Sequence, residues 1–255
     1  AESEKGEVTV TSSAWSSFEF DFSRAPIFYP LKNLTIEQGN FASTRFYGKA
    51  DFWGAKFIRD ADFRNTKFTR DADFWGAEFA GNADFGYAGF GKAEFTGNIS
   101  FGGAEFTGNI SFRGAEFTGN ADFGDAYLGN VKFVGDADFG NAKFTRDAYF
   151  RNAKFVGDAD FGNTKFTGNA YFLGAKFTGN ADFENAKFTG YVGFNGSYFG
   201  QNAPTFAGIS GAAKFSAQVD PQDYVFTVRE GSKAIKCGTA TLLGKSFIIP
   251  LGTVL

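Results

Sequence analysis

From Phe41 to Phe199 a large apolar residue returns every five or six positions, and this ladder restricts the fold more than any other feature of the chain. It has 30 rungs, of which 29 are Phe and one is Leu128. The spacing alternates 5, 6, 5, 6, so the unit is eleven residues, typified by Ala-Asp-Phe-Gly-Asn-Ala-Lys-Phe-Thr-Gly-Asn. The alternation slips twice, at Phe90 to Phe95 and at Leu128 to Phe133, where two fives follow each other. An eleven-residue period could in principle be helical. Spacings of 5 and 6 would, however, scatter the Phe rings over opposite sides of a helix. A Gly in nearly every unit would also cost a helix about 1 kcal/mol each.

A strand accommodates the same pattern. Two residues before most rungs stands a small residue, as at Ala50, Ala55, Ala61, Thr66 and Ala72, and positions i and i−2 of a strand share a face. Between them lies a polar residue: Asp51, Lys56, Asp62, Lys67, Asp73. Each half-unit therefore reads as a short strand with its small residue and Phe inward and a charge outward. The core ladder is expected to include Phe52, Phe57, Phe63, Phe68, Phe139, Phe144, Phe150 and Phe155. Gly81-Asn82, Gly135-Asp136 and Arg70-Asp71 stand between strands, where Gly, Asn and Asp suit corners that need a positive φ.

Ala61-Asp62-Phe63-Arg64-Asn65 and Ala181-Asp182-Phe183-Glu184-Asn185 resemble the unit of the pentapeptide-repeat family: Ala, then Asp or Asn, then Leu or Phe, then two variable residues. The resemblance implies an all-β fold, a right-handed, four-sided β-solenoid with one half-unit per face. A sixth residue on every second face departs from the family pattern and predicts a coil of about 22 residues rather than twenty. Trp53 and Trp75 are one such step apart, as are Tyr149 and Tyr171, and Asp138, Asp160 and Asp182. A flattened, two-sided rung of eleven is the competing geometry.

Outside the ladder, residues 1–40 and 207–255 read as β-rich terminal segments flanking a solenoid at 41–206. Glu7–Thr11, Ser17–Phe22, Asp223–Arg229 and Thr239–Leu243 alternate as strands, and the Gly- and Ala-rich stretch from Phe206 to Ala213 reads as a hinge. Open ends of a solenoid carry unpaired backbone groups that can template another chain, so the terminal strands are expected either to cap their own chain or to pair with a neighbour.

The remaining features narrow the function classes. A net charge of −3 has no basic footprint for nucleic acid, and no run of apolar residues is long enough to span a bilayer as a helix. There is no His, hence no imidazole-based catalysis, and the carboxylates recur because the repeat recurs, so no enzyme, cofactor or metal site is expected. Without Met, and with Ala1 suited to follow a signal-peptidase site, the chain reads as a mature exported protein. Cys237, the single cysteine, is then a candidate for an intermolecular disulfide. Asn33, Asn98, Asn109 and Asn195 begin glycosylation sequons. Lys143, Lys154, Lys165, Lys176 and Lys187 form one row in the repeat, which weighs against the DNA mimicry that binds topoisomerases in some members of the resembled family. Thr69, Thr107, Thr118, Thr145, Thr167, Thr178 and Thr189 recur singly, a pattern open to ice binding.

The expected function is an extracellular structural protein whose partner is itself, a homopolymer built through solenoid ends and terminal strands into a fibre, hoop or tubular sheath. In general type it is similar to a protein that could build the amyloid-like sheath of methanogenic archaea. The alternative is a monomeric or dimeric binding module that recognises a protein, a topoisomerase or ice.

Overall fold

The computed structural model describes residues 19–28, 30–86, 93–97, 99–101, 104–106, 110–112, 115–118, 121–125 and 129–255. Half-units of the repeat form strands of mostly two residues, and a corner follows each strand. The chain runs from Ala50–Asp51 on one face (I) to Lys56–Phe57 (II), Ala61–Asp62 (III) and Lys67–Phe68 (IV), then starts the next coil at Ala72–Asp73 on face I again. Among the described residues the faces are parallel sheets of eight (I), eight (II), eight (III) and nine (IV) strands. Register partners such as Ala61 and Ala83, or Lys143 and Lys165, are 22 residues apart, so the coil has four sides. The two-sided rung is ruled out.

The interior is a lattice of Phe rings. Along the axis the rings stack: Phe139 on Phe161 at 4.9 Å and 2°, Phe150 on Phe172 at 4.9 Å and 3°, Phe155 on Phe177 at 4.6 Å and 1°. Across the axis, rings of faces I and III meet edge to face, as do Phe161 and Phe172 at 5.4 Å and 87°. Both arrangements suit the ring quadrupole. Phe52, Phe57, Phe63, Phe68, Phe139, Phe144, Phe150 and Phe155 are all buried, as are the alanines two positions before them. Where Thr or Ser replaces such an Ala, its hydroxyl donates to a backbone carbonyl: Thr66 to Phe41 at 2.8 Å, Thr164 to Phe139 at 2.7 Å and Ser197 to Phe172 at 2.6 Å.

The two kinds of corner differ, and this corrects the sequence-based reading of Gly-Asn pairs. Among the described corners between residues 50 and 200, positive φ occurs at the shorter one, which follows a strand of face I or III, at Asn65, Asn141, Asn152, Asn163 and Asn185 and at Gly54, Gly76, Gly174 and Gly196. The turn Phe74-Trp75-Gly76-Ala77, closed by the Ala77 amide on the Phe74 carbonyl at 3.0 Å, is typical. At the longer corner, Gly81 and its equivalents do not adopt positive φ. Glycine stands there because the coils lie so close: a Cβ on Gly168 would fall 2.4 Å from the Arg146 backbone. The Asp or Asn beside it bonds coil to coil, since its Oδ1 accepts the amide one coil on, as Asp136 does from Asp158 at 2.9 Å and Asp158 from Asn180 at 2.7 Å.

The two slips in the ladder are insertions. Across them the register step grows from 22 to 27 residues, pairing Phe68 with Phe95 and Phe106 with Phe133. The wall positions that unbroken alternation assigns to Phe90 and Leu128 are taken by Phe95 and Phe133. At the first insertion the Ala93 amide bonds the Phe85 carbonyl at 2.9 Å, the same corner bond as at Phe74 and Phe101 with five residues let out inside it.

The sheets extend past both ends of the Phe ladder. Glu19–Asp21 pairs in parallel with Gln38–Asn40, and Phe22 stacks on Phe41 at 5.1 Å. Glu7–Thr11 and residues 17 and 18 lie outside the described residues. At the other end Lys214–Phe215 and Tyr224–Val225 continue faces IV and I. The stretch Phe206–Ala213 is not a hinge. Both of its end residues are buried, Phe206 stacks on Phe183 at 5.1 Å, and the Ala213 amide closes the excursion on the Phe206 carbonyl at 2.7 Å. The last strands, Cys237–Leu242 and Lys245–Pro250, pair with each other as an antiparallel hairpin. The buried Phe247 of this hairpin lies against Tyr224, and Val254 bridges to Lys214, so the C-terminal end is capped by its own chain.

Candidate functional surfaces

Because the core is closed by rings, the chemistry of the rod lies on its four faces. Each eleven-residue unit contributes one Asp-type and one Lys-type strand, and each coil holds two units. Faces I and III therefore receive the Asp-type strands and faces II and IV the Lys-type strands, some of which carry Glu in place of Lys. Face III carries Asp62, Asp84, Asp138, Asp160 and Asp182 in register. Face IV carries Arg45, Lys67, Glu94, Glu116, Lys143, Lys165, Lys187 and Lys214. Lys143, Lys165 and Lys187 are thus one column, whereas Lys154 and Lys176 belong to face II on the other side of the rod. The single lysine row read from the sequence is two rows, since a step of eleven carries the chain halfway round.

The acids have a structural role that the lysines lack. Asp138, Asp160 and Asp182 each accept, through Oδ1, the amide two residues on, at 2.7, 2.6 and 2.8 Å. Such Asx turns set up the following corner. Burial, the largest influence, pushes the Asp182 carboxyl above its usual range, with the neighbouring Glu184 and Asp160 charges adding to the rise. Asp160 and Asp182 border a shallow groove of about 450 Å³ on face III, lined among others by Asp158, Asn180 and Asn202. Among the described residues no group of acids and thiols is placed to hold a metal ion.

Face I changes character along its length. Asp51 and Asp73 occupy its early coils, Tyr149 and Tyr171 its later ones. The two tyrosines stack at 5.0 Å, and Tyr191 joins them, tilted by 32° at 5.1 Å from Tyr171, although it is two residues out of register. The in-register position is Gly193, where any Cβ would lie 2.3 Å from the Tyr191 hydroxyl, so the glycine makes room for the ring. Arg151 lies over Tyr171 at 4.7 Å and Tyr149 at 5.4 Å, a cation–π arrangement. Trp53 and Trp75 stack at 5.5 Å on the neighbouring corner. Rings stacked on one another present edges rather than free faces to solvent.

The threonines weighed for ice binding are partly engaged: Thr69, Thr118, Thr145 and Thr189 donate to backbone carbonyls of the preceding coil, at 2.7, 3.1, 3.0 and 3.2 Å. Thr107 lies outside the described residues, and so do Asn98 and Asn109. Asn33 is exposed at a corner with positive φ. Asn195 is half-buried, and Ser197, the hydroxyl of its sequon, is fully buried. Cys237 is half-buried on the hairpin, its thiol pushed up by burial and its Sγ 3.6 Å from the Ile235 carbonyl. The structure brings neither Cys237 nor the sequons into a common site.

The signal that would have exposed the face segregation was present: the outward residues needed to be sorted by a step of 22 rather than eleven. Comparison with known proteins gives a match to pentapeptide repeats, nine copies, over residues 41–89, 86–126, 123–165 and 161–204. No curated protein and no solved structure matches the chain. The matched stretches cover most of the chain, and their repeat unit is the strand-and-corner element that builds the four walls; this chain belongs to the pentapeptide-repeat family.

Proposed function

We propose that the protein is a structural rod that self-associates at the cell surface, in the manner of a fibre, hoop or sheath subunit. One observation carries the reading: stacked Phe rings fill the described core of the rod, and its long walls are parallel sheets whose strands recur coil after coil. A periodic surface recognises a partner of the same period, and a second copy has that period by construction. Pentapeptide-repeat solenoids are typically non-enzymatic structural or binding modules, which supports a role without catalysis. Placement outside the cell is supported by the sequons, of which Asn33 is exposed.

The C-terminal hairpin shapes how such an assembly would form. It covers the last coil, so in this conformation the Phe column does not pass from that end into another copy. Contact there would instead use the outward side of the cap, where Leu243, Ile248 and Leu251 are exposed. The same hairpin favours a second reading, a capped binding module that works alone or as a dimer. Electron microscopy of the purified chain, before and after a reducing agent, separates the two. Rings, tubes or fibres support the rod reading, and their loosening on reduction gives Cys237 a crosslinking role. Dispersed particles under both conditions favour the binding module.

A further inference from the structure

The C-terminal half of the rod has charge columns that its own fold leaves unbalanced. In the N-terminal half acids and bases meet within the chain: Lys49 with Asp73 at 3.2 Å, Lys56 with Glu78 at 3.0 Å, Lys67 with Glu94 at 3.1 Å, and Arg64 with Asp62 and Asp84. Beyond Lys132, which pairs with Glu105 at 2.7 Å, faces II and IV carry lysines without glutamates. Among the described residues Lys154, Lys165, Lys187, Asp160 and Asp182 form no ion pair. Each is stacked in register on a residue of its own sign, at a coil spacing given by the rings beneath: 4.9 Å for Phe161 on Phe183 and 5.1 Å for Phe166 on Phe188. Like charges so close repel, and an opposing column would relieve both faces.

We propose that a second copy of this chain docks sideways, laying its lysine column Lys143, Lys165 and Lys187 on face IV against the aspartate column Asp138, Asp160 and Asp182 on face III of the first. The two columns match in three respects. They are opposite in sign. They share one pitch, because both are set by the same stacked coils, so the register that brings one Lys to an Asp brings the others of the column to theirs. Their reach is complementary, since the exposed Lys165 and Lys187 are long and the half-buried Asp160 and Asp182 short, these two each keeping Oδ1 on a corner amide and the second oxygen for the partner. Face II repeats the lysine pattern on the opposite side with Lys154 and Lys176, so one rod offers a lysine column on two sides. A single exposed ion pair contributes little. A column of them acts as one complementary surface, and its strength falls with salt.

This inference rests on the self-association reading, and the test separates the two. The full chain is followed by sedimentation velocity and negative-stain microscopy at about 0.01 M and about 1 M salt, where charges are felt over about 30 Å and about 3 Å. Lateral assemblies are expected at low salt and separate rods at high salt. A variant with Lys154→Glu, Lys165→Glu, Lys176→Glu and Lys187→Glu is expected to stay dispersed at low salt, and so is one with Asp160→Lys and Asp182→Lys. Mixing the two restores assembly, because the glutamates introduced in one meet the lysines introduced in the other. Circular dichroism checks that each is folded. If the Asp→Lys variant is not, Asp160→Asn with Asp182→Asn keeps the corner acceptor and should raise the concentration for half-assembly at least about tenfold. Wild-type assembly that ignores salt, or assembly that survives the Lys→Glu changes, overturns the lateral docking and leaves the structural reading standing. A wild-type chain that stays monodisperse at low salt overturns both.

Discussion

Replacing Phe161 by Ala tests whether the interior is one continuous packed column. Phe161 is fully buried, stacked between Phe139 and Phe183 at 4.9 Å on either side. Phe150 and Phe172 meet it edge-on at 5.2 and 5.4 Å, and Phe155 and Phe166 lie at 6.1 and 6.4 Å. Loss of a Phe side chain from such a site costs about 3–5 kcal/mol, made up of lost transfer energy and an unfilled cavity. The cavity cannot collapse here, because the rings above and below are held at the coil spacing by backbone bonds on four faces. The size-conserving change Phe161→Leu fills most of the space and should cost less than about 1.5 kcal/mol. In a chain of this length the Ala change lowers the melting temperature by about 6–20 °C and the Leu change by a few degrees at most. Thermal and urea unfolding followed by circular dichroism reads both. Equal losses for the two variants, or a loss below about 1 kcal/mol for Ala, would refute the view that stacked rings rather than backbone ladders alone hold the coils together.

Further outcomes follow from the corners, the buried hydroxyls and the titrating groups. Gly76→Asn should leave stability within about 0.5 kcal/mol, because the equivalent corners use Asn at the same positive φ, whereas Gly76→Val should destabilise by more than about 1 kcal/mol; urea unfolding compares them. Thr164→Val keeps the shape but removes the donor to the Phe139 carbonyl, at a cost of about 1–3 kcal/mol by the same assay. The carboxyl of Asp182 binds its proton more tightly in the folded chain than in the unfolded one, so its contribution to stability is greatest below the ordinary unfolded value and declines as pH rises through the raised folded value. Asp182→Asn, which retains the acceptor for the Glu184 amide, should therefore stabilise the chain at pH 7 relative to wild type and lose that advantage in acid, as denaturation at the two pH values will show. The half-buried Cys237 thiol, pushed up by burial, should react with a thiol reagent at pH 8 more slowly than a free cysteine and reach the ordinary rate in denaturant.

Much of the fold was legible in the chain. The alternation of small residue, charge and Phe dictates which side of each strand is buried, because side chains on a strand alternate and a one-residue slip would turn every Phe to solvent. That argument needs only neighbours in sequence, and Phe52, Phe57, Phe63 and Phe68 are buried as it requires. The corner residues were legible in kind but not in place. Asn and Gly do adopt positive φ, yet at Asn65 and Gly76 rather than at Gly81, where the demand for glycine comes from a coil 22 residues away.

What the sequence by itself determined is therefore local: strand, inward face, turn and repeat. Only the tertiary structure decided how many strands close a coil, and with that count everything between coils. Four sides place Lys143 over Lys165 and put Lys154 on the opposite face, so that beyond Lys132 the lysines of faces II and IV are set apart from the aspartates of face III. Stacking decided that Phe95 takes the wall position expected of residue 90, that Tyr191 joins the tyrosine stack across Gly193, and that the last two strands close over the chain's own end. The physical reason is the same in each case: these contacts join residues some twenty or more positions apart. Their energies depend on the spacing of coils about 5 Å apart, a distance set by backbone hydrogen bonds between coils and by the thickness of an aromatic ring, and not by the identity of any neighbour along the chain.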